Sequence, residues 1–308
     1  MNTNLVVDGD QDRIKALVEC MLFIDYPVHL TILNHNMDDF ISNIKSRLLC
    51  ENFDVAIDDD NVDYHDFDGF MYLYPFPEDD LKDKEEVVNF LSPYLDQFRT
   101  SLNLAIKGGF SGKILINGYY DEILNYFATK FSGKEPNTVI STGLLGKTLL
   151  LKHLLRRYFN ISLSDINVSV VGNQSTNLIT WSRAYIGQSP ILSYLANPNN
   201  LFSTEIFAKA EEILSQNHFD EVVQMKAILM ILDAIFMEKP CLASVGHVVN
   251  LNDDVTAVSE PVMLNHTGMV STVELVLSDK ENQVYLESKQ EVIDIINLIV
   301  EGSREQDE

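Results

Sequence analysis

Val168–Gly187 reads "VSVVGNQSTNLITWSRAYIG". Apolar, mostly β-branched residues run into Gly172, and a polar turn follows at Asn173, Gln174, Ser175 and Thr176. This is the pattern of a buried strand ending in a turn, where α/β enzymes commonly set a catalytic side chain. None of the four side chains titrates near neutral pH. Ser175 and Thr176 also lack the strained Gly-x-Ser-x-Gly setting of an activated nucleophile, so the plain reading of both is a polar turn.

Outward from this stretch, short β-branched runs alternate with longer segments of helical spacing. On the N-terminal side the candidate strands are "NLVV", "HLTIL", "DVAI", "GFMYLY", "KILING" and "TVIST". Between them, "RIKALVECMLFI", "DFISNIKSRLL" and "EEVVNFLSPYLDQFRTSLNLAI" repeat apolar residues at helical intervals. Alternation of this kind predicts a doubly wound, mostly parallel sheet over residues 1–142. From 143 to 308 the rhythm changes. A helix "KTLLLKHLLRRYF" precedes the quoted strand, and two amphipathic segments follow it. The runs "LASVGHVVNL", "TAVSEPVML" and "TVELVL", with turn signals between them, then predict an antiparallel sheet, and "KQEVIDIINLIVEG" predicts a terminal helix. The expectation is an α/β fold of two domains, a Rossmann-like sheet at 1–142 followed by an α+β domain at 143–308.

Composition narrows the classes of function. With 308 residues, 46% of them hydrophobic, the chain can bury a substantial core. Its formal charge of −24 repels anionic partners, which argues against nucleic acid and anionic membrane. No apolar run approaches a membrane span and the N-terminus lacks a secretory pattern, so a cytoplasmic location is expected. Cys20, Cys50 and Cys241 are odd in number and far apart, unlike a disulfide framework or a metal cluster. The acidic runs "DDDNVDYHDFD" and "PEDDLKDKEE" lack the glycine and closing Glu of a calcium loop, and no metal site is expected. Lys147, Lys152, Arg156 and Arg157 form the only dense basic patch, either a solvated helix flank or a contact for acids of another subunit.

Three strings carry a resemblance. "VISTGLLGKTLLLKHLL", "VVGNQSTNLITWSRAYIGQSPI" and "SEPVMLNHTGMVSTVELVLS" resemble segments of the lactate/malate dehydrogenases, NAD-dependent enzymes of 2-hydroxy acids. Trp181, Ser182, Ile186, Gly187 and Pro190 stand at that family's scaffold positions. The resemblance implies the fold just described, and dimers or tetramers. It also implies a set of chemical positions. The proton-exchanging histidine falls at Gln174, its orienting Asp at Lys147 (Gly146 in the other register), and the carboxylate-binding arginine at Leu150 (or Leu149). The mobile-loop arginine has no counterpart, because no arginine occurs between Arg47 and Arg99. The family's Asn-Pro after the next strand falls at Tyr119 and Tyr120. Hydride transfer needs a group that titrates near working pH and a cation for the substrate carboxylate, and these positions supply neither.

The cofactor turn is altered in the same direction. Gly-x-Gly-x-x-Gly lets a strand turn tightly and a pyrophosphate approach the backbone. Here "DGDQDRI" keeps Gly9 but puts Gln11 and Ile14 at the other glycine positions, with Asp8, Asp10 and Asp12 around them. Asn34 takes the place of the ribose-binding acid, and "YPFP" replaces a later glycine turn. Gly9 and Asn34 are the most that remains of a dinucleotide site.

The sequence therefore predicts a dehydrogenase-like protein without 2-hydroxy acid dehydrogenase activity and without a cofactor. It would act through binding or assembly, as a homo-oligomer or with an active relative. The alternative is an NAD-dependent oxidoreductase with altered residues, for which the seven histidines, His153 and His247 among them, are the remaining candidate bases. His153 reads as a surface or interface residue and His247 as a satisfied sheet histidine.

Overall fold

The structure, a computed structural model, describes residues 3–33, 35–45, 50–57, 63–195, 202–215, 220–252 and 254–306. Six strands form the parallel half: β1 (Thr3–Gly9), β2 (Val28–Ile32), β3 (Asp54–Ile57), β4 (Gly69–Leu73), β5 (Lys113–Asn117) and β6 (Val139–Ser141). They lie in the order 3-2-1-4-5-6, all parallel. Strands β1 and β4 are buried almost throughout, which is why they read as unbroken apolar runs rather than as alternating ones.

Helices cover both faces. On one side α1 (Gln11–Phe23) and α2 (Asp38–Lys45) bury Ile14, Leu17, Val18, Met21, Ile41 and Ile44. On the other, α3 (Lys84–Lys107) and α4 (Asp121–Ser132) bury Leu91, Phe98, Leu102, Ile123 and Leu124 against Phe70 and Tyr72 of β4 and Ile114 and Ile116 of β5. Each fully buried Leu, Ile or Phe contributes roughly 1.5–3 kcal/mol, so these two layers hold the sheet in place.

The later elements are α5 (Leu145–Phe159), β7 (Ile166–Asn167), β8 (Val170–Gly172), β9 (Asn177–Ile179), β10 (Tyr185–Ile186) and β11 (Ser189–Pro190). They continue through α6 (Ile191–Leu195), α7 (Phe202–Ser215), α8 (Glu221–Phe236), β12 (Cys241–Leu251), β13 (Asp254–Asn265), β14 (Gly268–Thr272) and α9 (Asp279–Gln306). The antiparallel strands extend the parallel sheet. β6 meets β12 at Ser141 and Gly246, and the order runs on through β13, β8 and β9, while β7, β10 and β11 form a small sheet of their own.

The fold class is thus the expected one, with the change of rhythm at 142/143 falling between β6 and α5. The core does not divide there. Helix α8 packs on α1, and its Met225, Ile228 and Leu232 share one cluster with Leu5 and Leu17, while α9 joins the layer of α3 and α4 through Val292 and Ile295. One expected strand is displaced: "TVELVL" lies almost wholly past the end of β14. After the Val273 N–H donates to the Pro261 carbonyl the chain leaves the sheet, with Val273 and Val276 exposed.

Candidate functional site

The turn after β8 is built to be rigid. The Asn173 side-chain oxygen accepts from the N–H groups of Ser175 (2.9 Å) and Thr176 (2.7 Å), which closes the turn locally. Its amide donates to the Ser288 carbonyl (2.8 Å) and to Glu291 (3.0 Å), fastening the turn to α9, and Ser175 adds a bond to Glu291 (3.1 Å). Gly172 has φ of +116°, and a Cβ there would lie 2.3 Å from the Thr176 carbonyl oxygen, so no other residue fits.

Gln174 is buried, and its side-chain Nε2 has no hydrogen-bond partner. Its carbonyl accepts from the Lys147 ammonium at 3.2 Å, and the same ammonium donates to the Leu214 carbonyl of α7 at 2.7 Å. The two positions implied for the base and its orienting acid therefore meet in space. What meets there is a carboxamide residue and a buried cation. Leu150 is half-buried one turn further along α5 and offers no charge. Burial pulls the Lys147 ammonium down to about 8, with the nearby Glu122 carboxylate acting against that shift.

Two carboxyl groups lie beneath this pair, at the start of α4. Asp121 accepts from the Thr142 hydroxyl (2.6 Å) and from the Gly143 N–H (3.0 Å), and Glu122 accepts from the Ser259 hydroxyl (2.6 Å). Both are buried. Loss of water raises Asp121 to about 6, and loss of water together with the Asp121 charge raises Glu122 to about 8. Nothing in "YYDEIL" separates this pair from Glu85 and Glu86, which open α3 in the same pattern without being buried.

At the β1–α1 turn, Gly9 has φ of +125° and a Cβ there would lie 1.8 Å from the Leu73 carbonyl oxygen. Asp10 caps α1, its carboxylate accepting from the N–H groups of Asp12 and Arg13, both at 3.1 Å. Those are the donors a phosphate would use. Ile14, at the third glycine position, is fully buried in the core. Asp8 is buried as well, and burial raises its carboxyl above the usual range. Asn34 lies outside the described residues.

Arg13 points from this turn into the cleft at the ends of the parallel strands. Its guanidinium donates to the Tyr74 carbonyl (3.0 Å), to the Asn117 side-chain oxygen and to Glu221 of α8 (3.1 Å), and it lies 5.0 Å from the centre of the Phe76 ring. Asn117 in turn donates to Thr142 and to Gln224 (3.0 Å). A carboxamide thus does close β5, two residues before Tyr119. Tyr119 itself is buried edge-on against Tyr120 and Phe90. Sequence reasoning passed over Arg13 and Asn117, because only the fold brings "DRI" of α1, "YPFP" and the end of β5 together.

The other candidate histidine of the C-terminal half, His247, is buried on β12 with Nε2 3.2 Å from Glu260, whose other oxygen accepts from the Tyr285 hydroxyl. His153 is exposed on α5, in a hollow with Arg156 and Arg157. Among the described residues no group of three or more His, Cys, Asp or Glu side chains could hold a metal ion, and no helix is long and apolar enough to cross a membrane.

Residues 149–302 match the family model described as lactate/malate dehydrogenase, alpha/beta C-terminal domain, which is half of the chain. The chain belongs to the lactate/malate dehydrogenase family. Among its relatives in that family, the L-lactate dehydrogenase of Geobacillus sp. (strain WCH70) is 25% identical over 232 residues, 70% of this chain and 71% of that one. That of Pediococcus acidilactici is 26% identical over 238 residues, covering 71% and 72%. Solved structures agree in fold. A lactate dehydrogenase from a Medee basin deep-sea metagenome library superposes with a TM-score of 0.82 at 19% identity, over 97% of this chain and 99% of that one. The minor L-lactate dehydrogenase of Enterococcus mundtii in its ligands-unbound form gives 0.81 at 14% identity, over 97% and 98%.

Proposed function

We propose that this member of the lactate/malate dehydrogenase family is a pseudoenzyme without 2-hydroxy acid dehydrogenase activity, resident in the cytoplasm and acting through assembly, as a homo-oligomer or together with an active relative. The contact between Lys147 and Gln174 carries the proposal. The Lys147 ammonium holds the Gln174 backbone carbonyl, and this supports the reading because neither side chain can accept a proton from a hydroxyl at neutral pH while the other stabilises the resulting cation. Leu150 cannot hold a carboxylate.

NAD does not fit the residues present. Asp10 takes the N–H donors that begin α1, and Arg13 occupies the cleft with Tyr74, Asn117, Glu221 and Phe76. The second reading, an NAD-dependent oxidoreductase with altered residues, is favoured by one observation: the Lys147 amine is pulled into the working range of a general base. Its two carbonyl partners and its burial weigh against that use.

Turnover tests the proposal. Lactate, malate and branched 2-hydroxy acids with NAD or NADP should give no reduced cofactor above background. General acid–base assistance alone is worth roughly 10²–10⁴ in rate. Turnover by the wild-type protein that is abolished in Lys147→Met would establish the second reading instead.

A further inference from the structure

Three titratable side chains meet on one face of the β12–β13 pair. β12 sets Val245 opposite Glu260 and His247 opposite Val258, so His247 and Glu260 are diagonal neighbours on the same face, and Tyr285 of α9 reaches down to them. All three are buried. His247 Nδ1 lies 3.4 Å from the Val245 carbonyl oxygen, and Nε2 lies 3.2 Å from a Glu260 carboxylate oxygen. Both ring nitrogens thus face acceptors. A neutral imidazole carries one N–H and one lone pair, so one nitrogen would meet an oxygen with a lone pair, whereas the imidazolium donates on both sides. The Nε2 contact is also off the line of a good hydrogen bond, so its attraction is one of charge and exists only while the ring is protonated.

The other Glu260 oxygen accepts from the Tyr285 hydroxyl. Burial, with Glu260 beside it, pushes the Tyr285 phenol well above its ordinary range, so it remains a donor. Burial also pushes the Glu260 carboxyl up, but the bonds from His247 and Tyr285, with the charges of His247 and Lys289, outweigh it and leave the group below its ordinary range. Tyr285 opens the stretch of α9 that holds the turn after β8. Ser288 and Glu291 take the Asn173 amide at 2.8 and 3.0 Å, and Thr256 donates to the Lys289 carbonyl at 3.3 Å.

We propose that His247, Glu260 and Tyr285 form a pH-sensitive latch: the protonated ring holds α9 down through Glu260, and loss of that proton frees Tyr285–Glu291 together with the turn at Asn173–Thr176. A buried carboxylate that loses its counter-ion is costly, and lifting α9 lets water reach it. The latch is closed on the acid side and opens as pH rises through the range where imidazole loses its proton, roughly pH 5–8. Lys289 is a second cation near Glu260, its ammonium 4.3 Å from the centre of the Tyr285 ring, and it stays charged on both sides of that range. Lys152 of α5 borders Cys241 at the far end of β12, and Glu122 of α4 borders Gly246, on the opposite face of the strand from His247. The latch stands apart from the question of turnover.

Hydrogen exchange read by mass spectrometry on the purified protein, with rates corrected for the pH dependence of exchange itself, tests the latch. In the wild type, protection over Tyr285–Glu291 should fall about tenfold more than that of β1 and β4 between about pH 6 and about pH 8.5, and the Asn173–Thr176 turn should follow it. His247→Gln keeps a donor toward Glu260 but cannot change charge, so its α9 should track β1 and β4 across that range, as should that of Glu260→Gln. A structural role alone would shift protection equally at both pH values. Wild-type α9 that tracks β1 and β4, or a pH step that survives in a folded His247→Gln, would overturn the proposal. Should His247→Gln unfold, Glu260→Gln decides.

Discussion

Arg13 ties together the ends of the parallel strands. It leaves the first turn of α1, is almost fully buried, and joins three parts of the cleft: the chain after β4 at Tyr74, the end of β5 at Asn117 and the start of α8 at Glu221. A buried guanidinium is tolerated because each of its partners also needs a donor. Arg13→Ala would leave the Tyr74 carbonyl and the Asn117 oxygen without that donor. Each buried group so stranded costs roughly 1–3 kcal/mol, and the loss should appear as a lowered urea midpoint. The half-exposed Glu221 adds little, since water screens it. A midpoint unchanged in Arg13→Ala would mean that the cleft is filled but not held by this residue.

The elements of the first half were legible from their spacing alone. Runs such as "NLVV" and "GFMYLY" became β1 and β4, because strands covered on both faces have nothing polar to alternate with. The antiparallel pair β12 and β13 was legible for the same reason, from long apolar runs with turn signals between them. The third strand was misplaced, since the valines of "TVELVL" have strand propensity but lie beyond the sheet edge, where propensity is not backed by pairing. At the site, motif spacing singled out Lys147 and Gln174, and the Lys147 ammonium reaches the Gln174 backbone carbonyl. Burial could not be read. The Asp121–Glu122 pair, the Asp10 cap and the reach of Arg13 depend on packing between distant segments, of which local pattern carries no trace. Asn117 was legible as the end of the strand "KILING", but its bonds to Arg13, Thr142 and Gln224 were visible only once the distant segments stood together.

On the scale of the whole molecule, the buried acids set how stability varies with pH. Asp121 and Glu122 hold their protons in the folded chain at about 6 and about 8, above the 3.8 and 4.5 of free side chains. Their contribution is fully present below the free values and is lost as pH rises through the folded ones. Lys147, lowered from 10.5 to about 8, has the other sign: its contribution is present above 10.5 and lost as pH falls through about 8. The net charge of −24 adds self-repulsion on the alkaline side of the acids. At the acid end, Asp25 is held down to about 2, chiefly by the Asn52 N–H with that of Phe53, and its contribution is lost as pH falls through that value. Urea midpoints should therefore be highest near pH 4–5 and fall steadily to pH 8. A maximum at pH 7–8 would show that the pair is solvated or ionised in the folded chain. Whether a dinucleotide can enter the cleft is read by titrating NADH into the purified protein in a calorimeter. Heats of dilution alone are expected through the submillimolar range, because the donors of α1 are capped by Asp10 and the cleft is held by Arg13. A saturable binding isotherm in that range, at one NADH per chain, would contradict it.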